Sequence, residues 1–155
     1  MDISALVQAM QTLNAEDAFR PRLTLDQWRV IAPYLTHHEI RSGDLLIKQG
    51  DADRSMYFLA QGSLQVFVTG GLPGSNRIAI LRAGSVVGEP GLFNDGPRMA
   101  NVEAMTSCEV WALRGPRLEE LAQRSPALAL ELLRAAGNVM AVRMRANLAK
   151  QTPFS

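Results

Sequence analysis

The stretch Gly84-Ser85-Val86-Val87-Gly88-Glu89-Pro90-Gly91-Leu92-Phe93-Asn94-Asp95-Gly96-Pro97-Arg98-Met99-Ala100-Asn101-Val102 decides how the chain is read. Glu89 followed by Pro90 fits the start of a short helix, because proline at the first helical position gives up only an amide hydrogen that was unpaired anyway. A helix start aims free N–H groups at what lies before it and favours an anion there. Gly91 lacks a side chain, so a ligand can approach its backbone. Arg98 carries a planar fork of positive charge suited to phosphate oxygens. Ala100 is small and leaves space beside it. Glu89 would repel a phosphate, and it makes sense facing a donor such as a sugar hydroxyl. A ligand with an anionic group near a hydroxyl satisfies both Glu89 and Arg98, and a nucleotide ribose phosphate is the obvious case.

Outward from this stretch the texture changes twice. From His37 to Leu113 apolar residues come in short runs, among them Leu45-Leu46-Ile47, Met56-Tyr57-Phe58-Leu59 and Leu64 to Val68. Turn residues part them at Ser42-Gly43-Asp44, Gly50-Asp51, Gln61-Gly62-Ser63 and Gly70-Gly71-Leu72-Pro73-Gly74. Leu64, Val66 and Val68 alternate with Gln65, Phe67 and Thr69, the period of a strand. Many short strands between close turns predict a β-sandwich, barrel or jelly roll. The glycine-rich run at 70–74 reads as a hairpin loop, since no Gly-Lys-Ser/Thr of a phosphate-binding P-loop follows.

Residues 1–35 read as helical. Ile3, Leu6, Val7, Met10 and Leu13 share one helical face, and Pro21 interrupts. Thr24 with Gln27 three residues on is a capping-box pattern, with Trp28, Ile31, Ala32 and Leu35 as the buried side. Beyond Gly115-Pro116 the helical period returns. Ser125-Pro126 is a good helix start, and the helix runs to about Lys150, roughly 37 Å. Its apolar residues cover two faces. Leu128, Leu132, Ala135, Val139, Val142, Ala146 and Ala149 form a heptad seam, and Leu130, Leu133, Met140, Met144 and Leu148 a second strip. Two faces need two neighbours, so the seam is expected to pair with a second copy; the alternative is a helix packed deep in its own monomer. Gly137 inside the helix costs about 1 kcal/mol relative to alanine and marks either close contact or a bend.

The 155 residues suffice for one domain with a real core. Hydrophobic residues at 47%, charged residues at 20% and a net charge of +1 exclude a polybasic binder and an acidic tail. One cysteine, Cys108, excludes an intrachain disulfide and a multi-cysteine zinc site; it reads as a small strand residue. The N-terminus lacks the pattern of a signal peptide, and no apolar run reaches the ~20 residues of a membrane span. A soluble cytoplasmic protein is expected. His37 and His38 are adjacent on a strand, point to opposite faces and read as surface or strand-end residues rather than metal ligands. Neither a nucleophile–base pair nor paired catalytic carboxylates stands out, so an enzyme is not expected.

The run G-E-x-G-L-F-x-x-G-x-R-x-A from Gly88 to Ala100 resembles the phosphate-binding cassette of cyclic nucleotide-binding domains. These occur in the catabolite-activator and related transcription regulators, the regulatory subunits of cyclic-AMP-dependent protein kinase, and cyclic-nucleotide-gated channels. Ser42 to Asp51 and Tyr57 to Val66 resemble the family's early strands, and together the matches cover about residues 24–145. The resemblance implies an eight-stranded β-roll over 36–113, holding the cassette at 84–102. N-terminal helices at 1–35 and C-terminal helices at 115–150 would flank it in a single domain over 1–155. It implies that Glu89 binds the ribose 2′-hydroxyl, that Arg98 pairs with the cyclic phosphate and that the Gly91 and Met99 amides add donors. Gly88 permits close approach, and Leu92 and Ala100 complete the cassette. The implied ligand is a cyclic nucleoside monophosphate, with cyclic AMP as the expected one; no cofactor or metal is implied. The purine would lie under the long helix at Arg143 and Met144, where cyclic-AMP-responsive activators carry hydroxyl residues. In the bacterial activators that helix also forms the homodimer, and a homodimer through Leu132, Ala135, Val139, Val142 and Ala146 is expected here.

Those activators continue into a DNA-reading helix-turn-helix, and none is expected here after Ser155. Residues 114–150 hold seven basic and three acidic side chains, which reads as a solvated face. The expected function is a stand-alone sensor that passes ligand binding through its C-terminal helix to a second copy or a separate output protein. The alternatives are a ligand-free roll serving as an interaction module, a site for another small anion, and a regulator whose DNA-reading part is lost or supplied by another chain.

Overall fold

The computed structural model describes residues 2–70 and 77–151. Eight strands form two four-stranded antiparallel sheets, with strand orders β1-β8-β3-β6 and β2-β7-β4-β5. The first sheet comprises β1 (Leu35–Ile40), β3 (Ser55–Gln61), β6 (Val86–Val87) and β8 (Cys108–Arg114). The second comprises β2 (Leu45–Ile47), β4 (Ser63–Phe67), β5 (Arg77–Arg82) and β7 (Asn101–Ala104). This is the β-roll with flanking helices that the strand texture and the resemblance predicted. Much of the glycine-rich loop at 70–74 lies outside the described residues.

The central strands of the first sheet, β3 and β8, are buried on both faces, which is why they read as continuous apolar runs. Met56 and Phe58 of β3, with Trp111 and Leu113 of β8, face the helices. Their neighbours Tyr57, Leu59, Val110 and Ala112 face the inside of the roll, against Ile47, Leu64, Leu81 and Val102 of the second sheet. Phe58 is fully buried and takes Phe19 and Trp28 edge-on, at centroid separations of 5.4 and 6.1 Å. Full burial of one such side chain contributes about 1.5–3 kcal/mol.

Helix α1 spans Ser4–Thr12 and buries Leu6, Val7 and Met10. Helix α2 spans Leu25–Ile31 under the predicted capping box: the Gln27 amide donates to Thr24 Oγ1 at 3.2 Å, and the Thr24 amide to Gln27 Oε1 at 2.9 Å. The helical reading over 1–35 is too long at its end. Pro33 cannot donate to a continuing helix, the chain leaves α2 through a 3-10 turn at Ala32–Tyr34, and Leu35 already pairs with Leu113 as the first residue of β1.

After β8, α3 (Gly115–Arg124) leads into α4 (Pro126–Gln151). The Ser125 carbonyl accepts from the amides of Leu128 and Ala129, and Pro126 takes the first helical position. The heptad seam requires correction. Leu132 and Val139 are fully buried and Ala135 nearly so, all inside the core of their own chain with Ala129, Ala136 and Leu121. Only the far end of that seam leaves the core: Val142 is half-buried, and Ala146 and Ala149 are exposed. The large apolar side chains of α4 turned to solvent are Leu130, Met144 and Leu148. A heptad spacing reports that a face is buried and says nothing of what buries it.

Candidate functional site

The cassette opens on Gly88, whose φ of +80° lies in the left-handed region that glycine alone enters without strain. A methyl there would also meet Arg98 Nη1 and Ser55 O, each at 2.9 Å. The expected helix start is a single 3-10 turn, Glu89–Leu92, with Pro90 in its first turn. Gly91 has no room for a side chain: a methyl would stand 2.9 Å from Asp53 O and 3.0 Å from Arg98 Nη1. Its amide already donates to Gly88 O at 3.0 Å inside the turn, so the predicted Gly91 donor is occupied. Leu92 also departs from expectation, since its side chain joins the helix-side core rather than the cavity.

Arg98 is tucked under the turn and 7% exposed. Its Nη1 donates to Gly88 O at 2.9 Å, and its Nη2 donates to Ser55 O. Nη2 also lies 3.3 Å from Asp53 Oδ2, the same oxygen that accepts from the Tyr57 hydroxyl at 2.9 Å. Burial pushes the Asp53 carboxyl up, but hydrogen bonds from Tyr57 and Ser55 and the Arg98 charge outweigh it and hold the carboxyl below its ordinary value. Burial, reinforced by the Asp53 acceptor, raises the Tyr57 hydroxyl. Arg98 Nε is left over: among the described residues it is the one buried side-chain nitrogen or oxygen with no partner.

Glu89 is 5% exposed, a carboxylate held inside the protein. Its partner comes from α4. Arg143 Nη1 donates to Glu89 Oε1 at 3.1 Å and Oε2 at 3.0 Å, its Nη2 to Val86 O at 2.8 Å, and its Nε to Asp17 Oδ2 at 2.9 Å. Arg143, predicted beside a base, thus spans three segments: the N-terminal connection between α1 and α2, the cassette, and α4.

These residues line a cavity of about 870 Å³ between the second sheet, the 3-10 turn and α4. Gly88, Glu89, Gly91, Arg98, Met99, Ala100, Arg143 and Met144 are on its wall. Met99 is 81% exposed at the rim, and Met144 is exposed as well. The described residues do not fill the cavity, and neither Glu89 nor Arg98 turns out to solvent. An anion would find the free edge of Arg98; a hydroxyl would find Glu89, whose carboxylate keeps acceptor capacity beyond the Arg143 bonds.

Asp17, Asp53 and Tyr57 were not singled out from the sequence. Asp53 sits 45 positions before Arg98 in a turn that also holds Asp51, where no spacing signals the pairing. Asp17 lies in an irregular segment without periodicity. His37 also differs from expectation. Its Nε2 lies 2.6 Å from Glu109 Oε1, its ring meets Trp111 edge-on at 4.9 Å, and its side chain is largely buried across the β1–β8 pair. Cys108 is a free, buried strand residue. Among the described residues no cluster of His, Cys, Asp and Glu could hold a metal ion, and no helix is long and apolar enough to cross a membrane.

The family model described as the cyclic nucleotide-binding domain matches residues 37–125. The cAMP-activated global transcriptional regulator CRP of Salmonella typhimurium is 31% identical over 103 residues, covering 64% of this chain and 49% of the regulator. The cGMP-dependent protein kinase egl-4 of Caenorhabditis elegans is 32% identical over 117 residues, covering 76% of this chain and 14% of the kinase. The chain therefore spans half or less of these curated relatives. The crystal structure of Thermus thermophilus catabolite activator protein superposes with a TM-score of 0.73 at 25% identity, covering 84% of this chain and 60% of that one. A cyclic nucleotide-binding domain from Methylobacillus flagellatus reaches a TM-score of 0.81 at 17% identity, covering 99% of this chain and 84% of that one. Fold, cassette and matches agree, and the chain belongs to the cyclic nucleotide-binding domain family.

Proposed function

We propose that this is a cytoplasmic sensor domain that binds a cyclic nucleoside monophosphate of the cyclic AMP or cyclic GMP type. Ligand binding acts on α4 and, through it, on a second copy or a separate output protein. The observation that carries the reading is Arg98 Nε, a buried donor without a partner on the wall of an open cavity. An unsatisfied buried donor costs about 1–3 kcal/mol, and more when the group is charged. A cyclic phosphate would remove that cost by accepting from Nε and a terminal nitrogen together. The ribose hydroxyl would donate to Glu89. Arg143 supplies the coupling, because the carboxylate that takes the hydroxyl is the one that α4 already grips. For binding to move α4, the ligand must prefer one helix position over the other.

Calorimetry of the full chain with cyclic AMP and cyclic GMP tests the reading. Heat should saturate with either or both. Arg98→Lys keeps the charge but loses the fork and the Nε donor, and should weaken binding by about tenfold to a hundredfold. No heat and no thermal shift at millimolar ligand, or full affinity in Arg98→Lys, would count against it.

A second reading draws on Leu130, Met144 and Leu148, which are 60%, 59% and 51% exposed along α4. In it, the solvent-facing strip of α4 pairs two copies, and the domain serves assembly with or without a ligand.

A further inference from the structure

A second cavity, of about 520 Å³, lies on the helix side of the first sheet and, among the described residues, shares none with the nucleotide cavity. Small-molecule sites span about 300–1,000 Å³. Its apolar lining is Ile3 at the start of α1 and Pro33 and Leu35 where the chain leaves α2. Its polar lining is Trp111 of β8, His37 of β1, Asp2 and Arg29. Trp111 is 3% exposed and the His37 side chain 10%, yet each keeps one polar atom unused. The Glu109 carboxylate can only accept, so the His37 nitrogen 2.6 Å from it, Nε2, carries the hydrogen, and in the neutral ring Nδ1 is an acceptor. Neither that Nδ1 nor the Trp111 indole N–H has a hydrogen-bond partner among the described residues. Both stay open to water, because Arg98 Nε is the one buried side-chain nitrogen or oxygen there without a partner.

The two charged groups also hold capacity in reserve. Asp2 Oδ1 accepts from the Ser4 hydroxyl at 2.7 Å and amide at 2.9 Å, and these bonds hold the carboxyl below its ordinary value. Its second oxygen has no partner among the described residues. Arg29 Nη1 donates to Asp26 Oδ1 at 3.2 Å, which leaves Nη2 and Nε. Opposite charges thus stand on one cavity without an ion pair joining them among the described residues. We infer that this cavity binds a small zwitterion, an α-amino acid with an apolar side chain, at a site distinct from that of the nucleotide. The donors Arg29 and Trp111 meet its carboxylate, the acceptors Asp2 and His37 meet its ammonium, and its side chain covers Ile3, Pro33 and Leu35. Charge complementarity selects this class. A carboxylate alone would face the Asp2 acid with nothing to offer it, and an amine alone would face the Arg29 guanidinium.

The chain has two tryptophans; Trp111 lines this cavity, and Trp28 packs against Phe58 in the core. Their indole N–H resonances, assigned with Trp111→Phe, test the inference in the full chain. Titration with L-leucine should move the Trp111 resonance saturably, with a midpoint below about 1 mM, and leave that of Trp28 in place. Isocaproate and isoamylamine carry the same branched chain with the carboxylate or the ammonium alone, and each should bind at least about tenfold more weakly. Arg29→Gln and Asp2→Asn, both at exposed positions, should each weaken leucine by about fivefold or more. A Trp111 resonance unmoved at about 10 mM leucine, either single-charge analogue binding as tightly as leucine, or full affinity in both variants overturns the inference.

Discussion

Arg98 does two jobs with one guanidinium. Its terminal nitrogens close backbone carbonyls on either side of the cassette, Gly88 and Ser55, while its Nε is buried and unpaired. Removing it therefore costs stability as well as affinity, and Arg98→Ala should unfold at lower temperature than Arg98→Lys. Asp53 and Tyr57 hold it in place, and their titration gives a pH signature. The Asp53 carboxyl is lower in the folded chain than in the unfolded one. Its contribution is thus complete above the ordinary carboxylate value and lost as pH falls through the lowered one, because there the unfolded chain binds a proton the folded chain refuses. The raised Tyr57 hydroxyl acts at the other end, contributing fully below the ordinary phenol value and losing stability as pH rises through the raised one. Melting temperatures measured from acid to alkaline pH should show Asp53→Asn flattening the acid limb and Tyr57→Phe the alkaline limb; unchanged limbs would refute the pairing. Glu89, Arg98 and the glycines around them were legible in the sequence because they lie within eleven residues of one another. Asp53 and Tyr57 were not, because a long-range pairing between common residue types leaves no local pattern.

Helix α4 is divided in function along its length. From Leu128 to Val139 it is part of the core; from Met140 onward it lines the cavity and ends in exposed residues. Arg143 pins this second half, and Asp17 helps orient Arg143 from a connection that has no regular structure of its own. Asp17→Asn removes the charge on one side of that clasp. It should raise amide exchange in α4 after Met140 while leaving Ala129 to Val139 protected, since those residues depend on packing rather than on the ion pair. Uniform protection along the helix would show that Arg143 is held well enough by Glu89 and Val86 alone. Gly137 is a separate matter. A methyl there would meet only Phe93, at 4.0 Å, an ordinary contact. Neither a clash nor a positive φ demands glycine, so Gly137→Ala should stabilise the domain by up to about 1 kcal/mol. The helix and its apolar character were evident from the sequence. Which face met the core was not, because α4 is apolar on more than one side and periodicity alone cannot choose between them.

At the level of the molecule the question is what covers the exposed strip of α4. Val139 cannot answer it. It is fully buried among Leu121, Leu132 and Ala136, and an aspartate there would be an unpaired charge in the core. Val139→Asp should therefore unfold the domain whether or not it pairs. Leu130 is the informative position, being 60% exposed and away from the cavity. Leu130→Asp should change stability by no more than about 0.5 kcal/mol, as for ordinary surface substitutions. If α4 pairs two copies, light scattering should show wild type moving toward a dimer as concentration rises and Leu130→Asp remaining a monomer with its melting temperature kept. Adding cyclic nucleotide then distinguishes the two proposed readings. A sensor that works through α4 changes its dimerisation constant on binding, and by linkage the dimer binds nucleotide with an affinity different from that of the monomer. An assembly module shows the same constant with and without nucleotide, because a ligand with equal affinity for both states shifts neither.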